Sequence, residues 1–428
     1  MQKKQYLCAL FRLIQKMNWT KEAKDTVWLI GLQGVNYVVP LFVLPYLMAV
    51  LGAEQFGVYS FGIALAQYLM MLVDFGFNLT ASKQIALARG NVAETDRLFS
   101  ATMVSKGLLL ALSAIVVMIV GALPAYRIYR TIIWITWLMV VGNTFSMYWL
   151  FQGAGKIRLV AVVNTLMKLL ILPLTFLLVK SPSDVRIAAW IQVAVFMTTG
   201  AVMAGLTWRL GLAHWMRVQW TDIRGQIRSS WSIFLSNAAT STYTALFVVI
   251  LAYMVSAEEV GKYAAAEKII RSVCYMIWLP LSQAYFPRIS RLGKENPAEG
   301  RRLIRMLTLF VMVVLGAAGI GMAVVAEPLT AWIGKDYAGI GGIAAILAVV
   351  PLFIGVGGVQ GQMGLIALGD EKDKASFRNV YLAAGLISLA GVCGLSWYWG
   401  ATGAAAALVI TEGFVCAGMC LLNAKRKQ

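Results

Sequence analysis

From about position 28 to position 423 the chain alternates long apolar runs with short polar segments rich in lysine and arginine. A run of about 20 apolar residues is what a helix needs to cross a bilayer core. The pattern predicts twelve such helices, at 28–51, 57–76, 100–123, 131–151, 159–179, 186–206, 231–255, 261–285, 304–326, 339–365, 379–397 and 402–423. Pro40, Pro45, Pro173, Pro280 and Pro351 fall inside these spans. There they kink a helix unless neighbours satisfy the freed backbone groups. Ahead of the first span, Tyr6, Leu7, Leu10, Phe11, Ile14 and Met17 recur at helical spacing beside Lys3, Lys4, Arg12 and Lys16. That pattern predicts an interfacial amphipathic helix, not a cleavable signal, because the apolar stretch is short and broken by Arg12.

Composition agrees with this pattern. Of the 428 residues 60% are hydrophobic and 13% charged, against about 25% charged in a soluble domain, and the mean hydropathy is +0.75. The formal net charge of +18 could suggest nucleic acid, but the basic residues are distributed between the apolar runs. With residues at span edges counted with their loops, the segments on the N-terminal side hold 27 Lys and Arg and the opposite loops hold 6. This bias predicts cytoplasmic termini. Cys8, Cys274, Cys393, Cys416 and Cys420 form no CxxC, and His214 is the single histidine. No metal site, cofactor or histidine-based catalysis is therefore expected. No GxxxxGK[ST] loop occurs to bind a nucleotide.

The chain also repeats itself. LGAEQFGVY, from Leu51 to Tyr59, recurs 204 residues later as VSAEEVGKY, from Val255 to Tyr263, with Ala, Glu, Gly and Tyr in register. A weaker echo sets GAGKIRLVAVVN, ending at Asn164, beside GDEKDKASFRN, ending at Asn379, with a one-residue gap. The expected organisation is an all-α polytopic membrane protein with two duplicated six-helix bundles around a central cavity. Its segments are the amphipathic residues 1–27, a first bundle at 28–206, a cytoplasmic linker at 207–230, a second bundle at 231–423 and a basic tail at 424–428. An even helix number makes the repeats parallel, with a cavity between them.

The stretches LPYLMAVLGAEQFGVYSF, VDFGFNLTASKQIA, YWLFQG and GKYAAAEKIIR resemble the Wzx family of O-antigen flippases, in the polysaccharide branch of the multidrug/oligosaccharidyl-lipid/polysaccharide exporter superfamily. The resemblance implies a non-enzymatic carrier in the bacterial inner membrane. It would move undecaprenyl-diphosphate-linked O-antigen repeat units from the cytoplasmic to the periplasmic leaflet by alternating access. Its expected partners are that lipid-linked oligosaccharide, protons or sodium ions, membrane lipids and other O-antigen assembly proteins.

Such a substrate needs cations for its diphosphate. Glu267, Lys268 and Arg271 lie in the eighth span, with Arg271 near mid-depth, where ionisable residues are costly and usually functional. Arg271 offers a bidentate fork and Lys268 a point charge; the rival is an internal Glu267–Arg271 pair at i, i+4 that only neutralises itself. Lys168, mid-span in the fifth helix, and Lys106 in the third complete the candidate diphosphate ligands. Glu267 and Glu412, the latter with no cation within a turn of its own helix, are candidates for ion coupling. Asp74 is a charge-pairing candidate, with Lys83 or Lys106 as its partner. Trp137 is the aromatic residue deep enough to be a candidate glycan contact; Trp134, Tyr148 and Trp149 read as interfacial anchors.

Three alternatives are weighed. A drug or cation antiporter of the same superfamily would favour acidic cavity residues, yet the four intramembrane cations outnumber Glu267 and Glu412. A lipid II flippase resembles a fourteen-helix plan. A membrane glycosyltransferase or polymerase would carry a large charged outer loop, and every outer loop here is short.

Overall fold

The computed structural model describes residues 21–425, so residues 1–20 of the expected amphipathic segment and 426–428 of the basic tail lie outside the described residues. All regular structure within them is helical. The chain runs through α1 (Lys21–Asp74), α2 (Phe77–Leu87), α3 (Val92–Ala122), α4 (Arg130–Thr144), α5 (Tyr148–Gly153), α6 (Ile157–Leu178) and α7 (Val185–Arg209). It continues with α8 (Trp220–Ser241), α9 (Phe247–Met254), α10 (Ala257–Glu295), α11 (Pro297–Ile333), α12 (Ile340–Leu347), α13 (Val350–Gly358) and α14 (Glu371–Lys425). Among the described residues nine helices are long and apolar enough to cross a membrane. Helical structure resumes at Trp220, inside the segment expected to be a linker.

Two of the long helices are broken by a glycine in a conformation that other residues adopt only under strain. Gly52, at φ 68°, divides α1, and Gly400, at φ 54°, divides α14. Gly391 and Ala407 would stand about 24 Å apart on a straight helix. Here a Cβ on Gly391 would touch that of Ala407 at 3.2 Å, so α14 doubles back on itself.

The repeated motif forms a reciprocal seam. A Cβ on Gly57 would collide with the carbonyl oxygen of Ala257, and one on Gly261 with that of Ala53. Ala53 and Gly57 stand at the same places in the first copy as Ala257 and Gly261 in the second. Small residues four apart let two helix backbones touch, which matters in lipid because close packing drives association there. Around the seam Phe56, Tyr59, Val260 and Tyr263 are buried.

Two π-helical segments, Thr242–Leu246 and Val359–Ala367, interrupt the α-helical ladder within the second half. Such interruptions commonly mark functional sites. Tyr243, Thr244 and Gln362, all within these segments, line one cavity.

Candidate functional site

Two polar cavities lie within the helical body. The first, of about 340 Å3, is lined by side chains of α1, α2 and α4 to α7, among them Asp74, Asn78, Asn143, Tyr148, Asn164, Lys168 and Gln192. The second, of about 680 Å3, is lined mainly by α8, α10, α13 and α14 and includes Tyr243, Arg271, Tyr275, Arg378, Tyr381 and Glu412. Helix α2 borders both: Asn78 lines the first cavity and the next residue, Leu79, lines the second.

Arg271 organises the second cavity. Its Nε donates to Glu267, one turn earlier on α10. Its Nη1 donates to the Tyr275 hydroxyl at 3.3 Å and lies 3.6 Å from a carboxylate oxygen of Glu412 on α14. All three charged groups are buried, with Arg271 9% and Glu412 5% exposed. Sequence distance concealed the Glu412 contact, because its cation comes from another helix. The third guanidinium nitrogen, Nη2, is buried without a hydrogen-bond partner among the described residues. An unsatisfied buried donor on a charged group costs about 1–3 kcal/mol or more, which an anionic ligand would relieve. Arg378 on α14 adds a second cation to the same cavity. It sits at the edge of a predicted span, so the sequence pattern assigned it to a loop.

The remaining candidate cations do not join Arg271. Lys268 turns from the cavity toward the first half, where its Nζ donates to Ser60 Oγ at 3.0 Å and stands 5.4 Å from the centre of the Phe56 ring. A cation over an aromatic face is held by the ring quadrupole. Lys106, only 1% exposed, donates to Asp74 at 2.9 Å. Asp74 also accepts from Asn143 at 3.2 and 3.3 Å and from Asn78 at 3.4 Å. This carboxylate is therefore committed to a local network, and Lys106 is a structural partner rather than a wall of either cavity. Lys168 does line the first cavity and makes no ion pair among the described residues.

Trp137 lies outside both cavities. Its indole N–H donates to Ser113 on α3 at 3.1 Å, and its ring packs edge-on against Trp134 at 6.4 Å. Aromatic residues that face cavity space include Tyr148 and Phe196 in the first half and Tyr243, Tyr275, Trp278 and Tyr381 in the second. No group of three His, Cys, Asp or Glu side chains suited to a metal ion occurs among the described residues.

Residues 23–293 match the family described as polysaccharide biosynthesis protein. A protein of Escherichia coli (strain K12) named "Putative O-antigen transporter" is 30% identical over 94% of this chain and 97% of its own. A Shigella dysenteriae protein of the same name is 29% identical over 91% of this chain and 96% of its own. Among solved structures, lipid II flippase MurJ in an inward closed conformation superposes with a TM-score of 0.75 over 94% of this chain and 88% of that one, at 12% identity. An inward-facing multidrug resistance MATE family transporter of the MOP superfamily gives 0.65 over 91% and 98%, also at 12% identity. At that identity the two structures establish the shared fold.

Proposed function

The chain belongs to the polysaccharide biosynthesis protein family, and from that premise we propose that it is an O-antigen flippase. Its cargo is an undecaprenyl-diphosphate-linked oligosaccharide, moved from the cytoplasmic to the periplasmic leaflet of the inner membrane. The observation that carries this reading is Arg271, a buried guanidinium on a cavity wall with one nitrogen unpaired. A planar fork of donors suits a diphosphate, and Arg378 supplies a second positive charge. Counting each arm of α1 and α14 separately and adding the charged helix α10 brings nine apolar helices to twelve. That count supports two six-helix halves, and the reciprocal Gly57–Gly261 contact is what a duplicated chain would produce.

In the empty carrier Glu267 and Glu412 hold Arg271. Diphosphate competes for the guanidinium, and a proton or sodium ion neutralises the carboxylate that is released. Exchange of partners at Arg271 thus couples cargo to an ion gradient. Both carboxylates already face a fixed arginine, which leaves little negative charge for the cationic cargo of a drug antiporter.

Deletion of the gene in a strain with no second flippase is expected to abolish surface O-antigen and accumulate lipid-linked repeat units on the cytoplasmic side. Normal surface O-antigen in that strain overturns the proposal. Arg271→Gln and Arg378→Gln, each at wild-type membrane abundance, should both reduce export strongly; full export by both removes the diphosphate role.

A further inference from the structure

We infer that the cavity of the first half is a glycan subsite, separate from the diphosphate site around Arg271. This rests on the reading of the chain as a carrier of a lipid-linked oligosaccharide. The two cavities differ in chemistry. Two arginines, a glutamate and three tyrosines line the second, whereas the first adds to Asp74 and Lys168 four carboxamides, Asn78, Asn143, Asn164 and Gln192, with Tyr148 at its wall. Asn78 and Asn143 are engaged by Asp74 and Gln192 by Tyr59, which leaves Asn164 open.

Asn164 and Lys168 are i, i+4 on α6, a helix that is otherwise almost wholly apolar through this stretch. That spacing puts both on one face, and both face the cavity. Asn164 has no hydrogen-bond partner among the described residues. Asn164 is half-buried, so its amide is open to a polar occupant of the cavity. Side-chain amides donate and accept at once, as sugar hydroxyls do, and an aromatic face packs against the C–H face of a pyranose. The volume of about 340 Å3 lies in the range of small-ligand sites. Since Asn78 and Leu79 are consecutive, a diphosphate beside Arg271 and a glycan in the first cavity can belong to one molecule spanning α2.

The test measures binding to purified protein of two lipids: undecaprenyl diphosphate alone, and the same lipid bearing the repeat unit, extracted from cells blocked in export. Asn164→Leu combined with Gln192→Leu should weaken the sugar-bearing lipid about tenfold, the loss expected when sugar hydroxyls enter a site that no longer offers them hydrogen-bond partners, and leave the sugar-free lipid unchanged. Arg271→Gln should weaken both. Asn164→Gln, which keeps the amide, should retain most of the affinity for the sugar-bearing lipid, and unchanged melting temperatures confirm that the variants fold. Equal weakening of both lipids by the Asn164/Gln192 pair, or no weakening of either, overturns the glycan subsite. If wild type binds neither lipid, the transport reading itself fails.

Discussion

At the residue scale, the charges inside the helices divide into those paired within the protein and those that the proposed function assigns to a ligand. Asp74 and Lys106 belong to the first kind. Lys106 is buried and its ammonium depends on one carboxylate. Removing one partner of a buried ion pair costs about 3–5 kcal/mol, because the other charge is left uncompensated. Asp74→Asn is therefore expected to lower the melting temperature of the purified protein by several degrees, and Asp74→Asn with Lys106→Met to recover much of the loss. A double variant as unstable as the sum of the two single changes would show that the two groups act independently. Sequence periodicity singled out Glu267, Arg271 and Lys168 because ionisable groups stand out in apolar runs. Arg378, Asn164 and the link from Arg271 to Glu412 were invisible to it. Amides hardly disturb hydropathy, an arginine at a span edge reads as a loop residue, and a contact between α10 and α14 has no local signature. Trp137 shows the converse: its depth was readable but not the Ser113 hydroxyl that engages its N–H.

At the scale of elements, the repeated Ala-x-x-x-Gly pairs are where sequence and packing agree most directly. Their backbones are in contact, so Gly57 and Gly261 have no room for a methyl group. A substituent here meets carbonyl oxygen and not a yielding side chain, and overpacking of this kind costs about 1–3 kcal/mol or more. Gly57→Ala and Gly261→Ala should each destabilise the protein and reduce export. Gly205→Ala, on α7 with open space around its Cα, should leave both unchanged. Equal tolerance at all three positions would show that the two helices separate without penalty. The breaks at Gly52 and Gly400 were placed by the sequence pattern as loops between spans, since polar residues or glycine cluster there. The π segments at Thr242–Leu246 and Val359–Ala367 were not foreseen. A single inserted residue leaves the hydrophobic count of a span intact, so the pattern does not register it, and Tyr243 and Gln362 within these segments line the cavity.

At the scale of the molecule, the distribution of basic residues is the basis of the proposed orientation. The segments on the N-terminal side carry 27 Lys and Arg against 6 opposite, and the proposed orientation puts that basic side in the cytoplasm. The direction of transport depends on that orientation, because cargo assembled in the cytoplasm must reach Arg271 from the side to which α2 and α8 present their basic loops. Asn91, between α2 and α3, and Ser183, between α6 and α7, are both exposed and lie at opposite ends of the intervening helices. In a cysteine-free background, Ser183→Cys should react with a membrane-impermeant maleimide in intact cells. Asn91→Cys should react only after the inner membrane is opened. With both termini in the cytoplasm, Gly57 and Gly261 would lie near the periplasmic end. The reverse labelling pattern would turn the carrier over, place the seam on the cytoplasmic side, and make import the direction to be explained.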